Sequence, residues 1–540
     1  MKIYSFDYFS SFSTKKLIFV LLLFIVIAYI NSLGVYFIWD DYGLIVYNQA
    51  IRNPNIKDIF VPLFKVDTPD VRKNPVYFRP LQTLTYEFDY LLWGLNAFGY
   101  HLTNILLHSF NALFLFFLLL ILIKDRFLCF WASAFFGISP LFTSSVTYLS
   151  GRADLLVLFF CFTMAICFFR SFQNNTFNLF YYSISCLCFI CALLSKEQAI
   201  TGILLLILID KLIFRKNTLR LKNLVYLPYL AIILIWQSLK PPSFPGLHWA
   251  LANARETFFG ALTLFKGLLI YTSLSIVPIH LRMARTITTI DKLNDPWVFM
   301  VLVFFIFITT LFAIGWKKNK LLWLGLFWFY FPLTVQIVFN LIFDRIGNEL
   351  LLPENNLYFS YPGFLIIICL ILQFYPKVWD KFTFILLAFL IFYTGRTIVE
   401  NTYWLDEVRF FKHIIQYNMK SAFNFVVYAN LGFAYERADD LKKAEANLKL
   451  ASEGSGGNPY FYNMLASFYL RHKDFDKALN VLMLSKERDK NFYDTYIKLG
   501  IVYLNKGSLS EARENFEKAA SIKPYDNTAS EYLRLLRKRN

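Results

Sequence analysis

Runs of about 20 apolar residues are what one helix needs to cross a bilayer core, and this chain repeats them along most of its length. They fall at about 17–39, 103–123, 127–145, 153–170, 177–194, 198–214, 224–239, 258–278, 297–315, 321–343, 357–375 and 382–396. A chain that is 57% hydrophobic and 19% aromatic exceeds what a soluble domain can bury. The expected class is all-α, a polytopic membrane helical bundle. Lys15 and Lys16 precede the first run and assign the N-terminus to the cytoplasm. That run is too long for a cleaved signal peptide, lacks an A-x-A site and reads as a signal anchor.

Twelve spans would leave "WKKNK" (316–320) outside, against the positive-inside rule. An odd number removes the conflict. The weakest run is 258–278, which carries Lys266 and follows an amphipathic stretch, Trp249–Glu256. It is expected to be re-entrant or interfacial, leaving about 11 spans and an extracytoplasmic tail. The net charge of +17 sits largely in short loops, at Lys124/Arg126, Lys211 to Lys222, Lys317 to Lys320 and Lys377/Lys381. That is orientation charge beside anionic lipid, which argues against nucleic acid as a partner. All seven cysteines lie inside apolar runs, so neither a disulfide framework nor metal-type spacing is expected outside the membrane.

Past residue 397 charge appears every few positions, and a fixed period emerges. Gly432, Ala466 and Gly500 are 34 apart, as are Tyr435, Tyr469 and Tyr503, then Ala444, Ala478 and Ala512, then Leu448, Leu482 and Phe516. This is the tetratricopeptide period. It divides the chain into a membrane domain 1–397, a linker helix 398–424 and a repeat domain 425–540. The repeats run 425–458, 459–492 and 493–526, closed by a polar helix, Ser530–Lys538. If the first helix of each unit faces inward, Asn463, Ser467, Asp494, Ile497 and Asn505 line a peptide-binding groove; plain solvated surface is the alternative.

Between the spans, chemistry-bearing residues collect on one face. Asp40 and Asp41 follow the first span in "FIWDDYGLIVYN", and Arg79 precedes a helix opened by Pro80. His101, Asn104 and His108 recur at i, i+3 and i+7, on one stripe of the re-entering helix. Such a stripe is costly unless it lines a cavity or bonds to neighbouring helices. "YLSGRADLL" (148–156) and "LLSKEQAI" (193–200) add Arg152, Asp154, Lys196 and Glu197, which either pair locally or join the same site. Together they read as a site for a phosphorylated substrate that arrives through the lipid.

"WDD", "RPL…LT", H-x-x-N-x-x-x-H, "GRAD" and "SKEQ" occur in that order, ahead of the repeats. In this the chain resembles the transmembrane-and-tetratricopeptide-repeat O-mannosyltransferases and their bacterial relatives, in the polytopic C-type glycosyltransferase superfamily (GT-C). "LPENNLYFSYPGF" (352–364) resembles that family's E-R-x-L-Y-L-P-S-x-G-F element, with Asn355 where arginine is usual and Ser360-Tyr361-Pro362 replacing the Pro-Ser order.

The resemblance implies transfer of a sugar, mannose or another hexose, from a polyprenyl-phosphate carrier to Ser/Thr hydroxyls of exported protein, with inversion. Such chemistry needs one carboxylate base and fixed cations for the leaving phosphate. Asp40 is the favoured base and Asp41 the orienting acid. Arg79, Arg152, Lys196, His101 and His108 are expected at the donor phosphate, supported by Asn104, Asp154, Glu197, Glu354 and Tyr358. Some relatives use a divalent metal, and the Asp pair leaves that open. Two other readings stand beside this one: the same donor with a glycolipid or envelope polysaccharide acceptor, and a non-enzymatic membrane scaffold built on the repeats. A chain with three repeats and a short tail fits a bacterial inner membrane.

Overall fold

The computed structural model describes residues 13–52, 78–172, 176–213, 224–239, 254–283, 285–343, 345–346, 348–373, 379–417, 424–524 and 526–539. The loop stretch 53–77, the cationic cluster from Arg215 to Lys222, residues 249–253 of the amphipathic stretch, and Lys377 lie outside them. The described residues up to Asp406 form one compact unit and those from Glu407 onward a second.

The first unit is a helical bundle. Its main helices are α1 (Thr14–Tyr29), α2 (Pro80–Trp93), α3 (Ala97–Ile123), α4 (Arg126–Ile138), α5 (Arg152–Ser171), α6 (Leu179–Ser195), α7 (Ala199–Ile213), α8 (Leu227–Leu239), α9 (Ala254–Ile276), α10 (Pro296–Lys318), α11 (Lys320–Phe343), α12 (Leu357–Gln373) and α13 (Trp379–Thr402). Short polar residues start them by accepting from otherwise orphaned amides. Asp125 accepts from the amides of Phe127 and Leu128 and turns α3 into α4, while Lys124 takes the left-handed turn at φ 63°. Asn178 does the same for α6, and Asp295, ahead of Pro296, for α10.

Among the described residues eight helices are long and apolar enough to cross a membrane, by length and composition alone. A ninth span appears if Arg126–Ile138 and Pro140–Val146, bent by 44°, count as one. This is fewer than the expected 11 or so. The run at 177–194 forms the 17-residue α6, whose end is set by the polar turn at Lys196, and 224–239 is likewise too short to qualify. The run 258–278, expected to be re-entrant or interfacial, forms one continuous helix, α9, of 23 residues, roughly 34 Å long, and counts among the eight by length and composition. Its charge is satisfied inside the protein. Lys266 Nζ donates to the Thr288 carbonyl at 2.8 Å and lies 4.8 Å from the Trp297 ring.

Lys266 thereby fastens a small sheet at one end of the bundle. β1 (Thr286–Thr288) and β2 (Arg345–Ile346) pair antiparallel on either side of β3 (Glu349–Leu351), with Ile287 opposite Leu350 and Ile346 opposite Glu349.

The second unit begins with α14 (Glu407–Tyr417) and continues as three helix pairs: α15 (Asn424–Arg437) with α16 (Leu441–Gly454), α17 (Pro459–Arg471) with α18 (Phe475–Arg488), and α19 (Tyr493–Asn505) with α20 (Leu509–Ile522). α21 (Asn527–Arg539) follows. The linker expected from 398 starts inside α13, which runs on to Thr402. The repeated small residues hold each pair together at close range. A Cβ on Gly500 would come within 2.5 Å of the Phe516 ring, and Ala444, Ala478 and Ala512 are fully buried.

The expected peptide groove changes here. Asn463 is 4% exposed and spends its amide on Ser485, Thr495 and the Pro459 carbonyl, so it joins repeats internally. Ile497 packs against the apolar clusters formed with α20 and α21. Ser467 and Asp494 are half-buried and Asn505 is exposed.

Candidate functional site

A cavity of about 180 Å³ opens at the sheet end of the first unit. The turn after the first span reaches it through Asp40, the start of α2 through Arg79, the α4–α5 turn through Tyr148 and Ser150, and α5 through Asp154. The α6–α7 turn adds Lys196 and Glu197, and the segment before α12 adds Asn355. Residues far apart in sequence therefore share one concave surface, the usual form of a small-ligand site.

The two acids separate. Adjacent helical side chains point about 100° apart, and Trp39, at φ 48°, sets the turn that aims them. A bulky residue in the left-handed region carries strain, a recurrent property of functional sites. Asp40 lines the cavity and accepts from the Tyr148 hydroxyl at 2.8 Å. Its surface is open to the cavity but protein surrounds it, so burial pushes its carboxyl above the ordinary range while the Tyr148 bond opposes that push. Tyr148 is itself held between the rings of Trp39 and Trp404, at 6.3 and 5.4 Å.

Asp41 turns inward and is 1% exposed. One oxygen accepts from the Ile38 amide at 3.1 Å, the other from the Ser150 amide and hydroxyl at 2.9 and 2.6 Å. Burial pushes its carboxyl up to about 7, against the pull of these bonds. Gly151 makes the contact possible, because a Cβ there would lie 2.7 Å from the Ser144 carbonyl.

The cations are held in pairs. Lys196 Nζ lies 2.5 Å from Asp154, whose other oxygen accepts from Asn355 Nδ2 at 2.9 Å. Arg79 lies 3.1 Å from Glu197. The local pairing envisaged within "GRAD" and "SKEQ" is thus replaced by pairing between elements. Glu354 is buried against Arg285, at 2.7 Å, and accepts from the Arg282 amide.

Seven expected residues stay out of the cavity lining: Asp41 and Glu354, described above, and Arg152, His101, Asn104, His108 and Tyr358. Arg152 is fully buried: it lies 2.6 Å from Asp89, donates to Asn104 at 2.7 Å and to the Tyr100 carbonyl at 2.8 Å, and sits 4.6 Å from the Tyr86 ring. His101 bonds the Val35 carbonyl at 3.1 Å. His108 bridges the Tyr358 hydroxyl and the Gly137 carbonyl at 2.8 and 3.0 Å, so Tyr358 also belongs to the core. The polar stripe His101, Asn104, His108 is therefore interhelical glue, the alternative weighed for it above. As a correction, Arg152, His101 and His108 are not in the cavity lining and bond to neighbouring elements of the bundle.

Sequence reasoning missed Tyr148, Trp404, Gln82, Gln336 and Asn340. The last two carried a signal: two amides at i, i+4 inside an otherwise apolar run. Among the described residues no three His, Cys, Asp or Glu side chains gather as metal ligands. The carboxylates of Asp154 and Glu197 are already turned to cations, so the donor set does not fit a divalent ion as arranged.

Residues 493–526 match the tetratricopeptide repeat family model. The chain is similar to the protein O-mannosyl-transferase TMTC2 of Homo sapiens, at 28% identity over 44% of this chain and 31% of that protein. It is also similar to the protein O-mannosyl-transferase Tmtc1 of Drosophila melanogaster, at 30% identity over 34% and 22%, and to the protein O-mannosyl-transferase F38B6.6 of Caenorhabditis elegans, at 27% over 50% and 39%. The chain thus spans between 22% and 39% of the length of these relatives. A solved structure titled APC/C hetero-tetramer Cut9-Hcn1 overlaps 90% of this chain and 91% of its own at 13% identity, with a TM-score of 0.24, too low to argue from.

Proposed function

We propose that this multi-pass membrane protein is an inverting glycosyltransferase. It would move a hexose, mannose by its relatives' names, from a polyprenyl-phosphate carrier to Ser/Thr hydroxyls of exported protein. The observation that supports this best is the cavity itself, where Asp154 and Glu197 pair with the cations Lys196 and Arg79 while the third carboxylate, Asp40, accepts from the Tyr148 hydroxyl. In this reading Asp40 takes the proton of the acceptor hydroxyl as its oxygen attacks the anomeric carbon. The bond from that carbon to the phosphate oxygen breaks, and the phosphate leaves with the electron pair. Lys196 and Arg79 exchange their present carboxylate partners for the phosphate oxygens, which stabilises the leaving charge.

The reading is tested with purified protein, a polyprenyl-phosphate hexose and a Ser/Thr-rich acceptor protein, by mass spectrometry of the acceptor. Hexose on Ser/Thr peptides is expected. Hexose found only on added glycolipid would redirect the assignment to a lipid acceptor. Protein truncated after Asp406 is expected to glycosylate a short Ser/Thr peptide still, while losing at least tenfold in kcat/KM for the acceptor protein, the share contributed by the repeats. Equal loss for both acceptors would remove the repeats from acceptor binding.

Tyr148→Phe supplies a pH test. An aspartate base works when ionised, so the rate falls as pH drops through its pKa in the folded protein. The Tyr148 bond lowers that pKa, so removing it moves the acid limb of kcat/KM to higher pH. A limb that stays in place or moves down would contradict Asp40 as the base.

A further inference from the structure

The cavity lining divides by chemistry. Its charged part holds Asp40, Arg79, Asp154, Lys196 and Glu197, whereas the wall supplied by α11 is neutral and carries Gln336, Phe339 and Asn340. Their spacing, i, i+3 and i+4, stacks them on one helix face over a single turn. The span as a whole is apolar, with mean hydropathy 1.7, so two amides there need partners or a ligand.

The amides are oriented in series. Asn340, 2% exposed, donates to the Leu351 carbonyl of β3 at 2.9 Å, and its own oxygen accepts from Gln336 Nε2 at 3.0 Å. Gln336 is half-buried and keeps its carbonyl oxygen and a second N–H beyond that bond. A fixed amide presenting both a donor and an acceptor suits a hydroxyl, which also does both. A phosphate would want cations, and this wall has none. Phe339 offers a flat apolar face beside the amides, which suits the C–H face of a pyranose ring.

We propose that Gln336 and Asn340, with Phe339, form the hexose-recognition subsite of this cavity and set which hexose epimer is accepted. The proposal rests on the glycosyltransferase reading above. It differs from that reading in resting on sugar binding and not on transfer.

The test measures affinity of the purified full-length protein for farnesyl phosphate, farnesyl phosphomannose and farnesyl phosphoglucose. In the wild type the preferred hexose-bearing carrier is expected to bind at least tenfold more tightly than farnesyl phosphate. Gln336→Leu is expected to reduce that sugar increment by on the order of tenfold and to narrow the mannose-to-glucose ratio, with farnesyl phosphate bound as in the wild type. Gln336→Met keeps the side chain's length without its amide, and carries the test if the leucine variant folds poorly; the same loss of the sugar increment is expected. The subsite is overturned by a wild type without a sugar increment, by a variant that retains it, or by equal weakening of all three ligands. Failure of the glycosyltransferase reading looks different: the increment and its loss in the variants are seen, yet no hexose reaches an acceptor hydroxyl.

Discussion

Asp40→Asn is expected to lower hexose transfer by about 10²–10⁴-fold, the range a positioned general base contributes, while leaving donor affinity and melting temperature close to wild type. The geometry separates these effects. Asparagine has the shape of aspartate, and its amide oxygen can still accept from the Tyr148 hydroxyl. Only the ability to take the acceptor's proton is lost. Asp41→Asn should behave in the opposite way. Its two oxygens accept from the Ile38 amide on one side and the Ser150 amide and hydroxyl on the other. An amide NH₂ would face a backbone N–H whichever way it turned, leaving a buried donor unmatched at a cost of about 1–3 kcal/mol. Initial rates and thermal unfolding of both purified variants discriminate the roles. An Asp40→Asn protein with full transfer would exclude Asp40 as the base, and an Asp41→Asn protein that is fully stable but inactive would move the base to Asp41.

The adjacent aspartates also mark where sequence reasoning ends. Composition and the 34-residue period made the helical bundle and the repeat solenoid legible, because both depend on local patterns of apolar and small residues. The cavity residues within conspicuous motifs, Asp40, Arg79, Asp154, Lys196 and Glu197, were legible as a group for the same reason. Their individual roles were not. Asp40 and Asp41 are chemically identical neighbours, and what separates them is the turn at Trp39 and the close approach of Ser150 behind Gly151. Lys196 looks like a partner for its neighbour Glu197, but the α6–α7 turn brings it to Asp154 on another helix. Asn463 sits at a position that faces a groove in an ideal repeat, yet Thr495 of the next repeat captures it. Pairing across 30 or more residues has no local signature, so burial and partners had to come from the fold.

Arg152 is the strongest instance and carries the second large prediction. The arginine of a "GRAD" motif reads as a phosphate ligand or a local partner of Asp154, but its guanidinium is closed in by Asp89, Asn104 and the Tyr100 carbonyl, with none of its surface exposed. It ties α5 to α2 and α3. Arg152→Met should therefore leave the Asp89 carboxylate buried without its counter-charge, keeping only the bond from the Thr103 hydroxyl at 2.7 Å. Breaking such a pair from one side costs about 3–5 kcal/mol. Replacing both partners by apolar residues of similar size removes that penalty, so Arg152→Met with Asp89→Leu should regain much of the loss, and their energies should be strongly non-additive. Thermal unfolding in detergent measures the stability, and binding of the bare polyprenyl phosphate to the same samples measures the donor site. A phosphate ligand would give the reverse pattern, with stability nearly intact, donor affinity lost, and no recovery in the double variant.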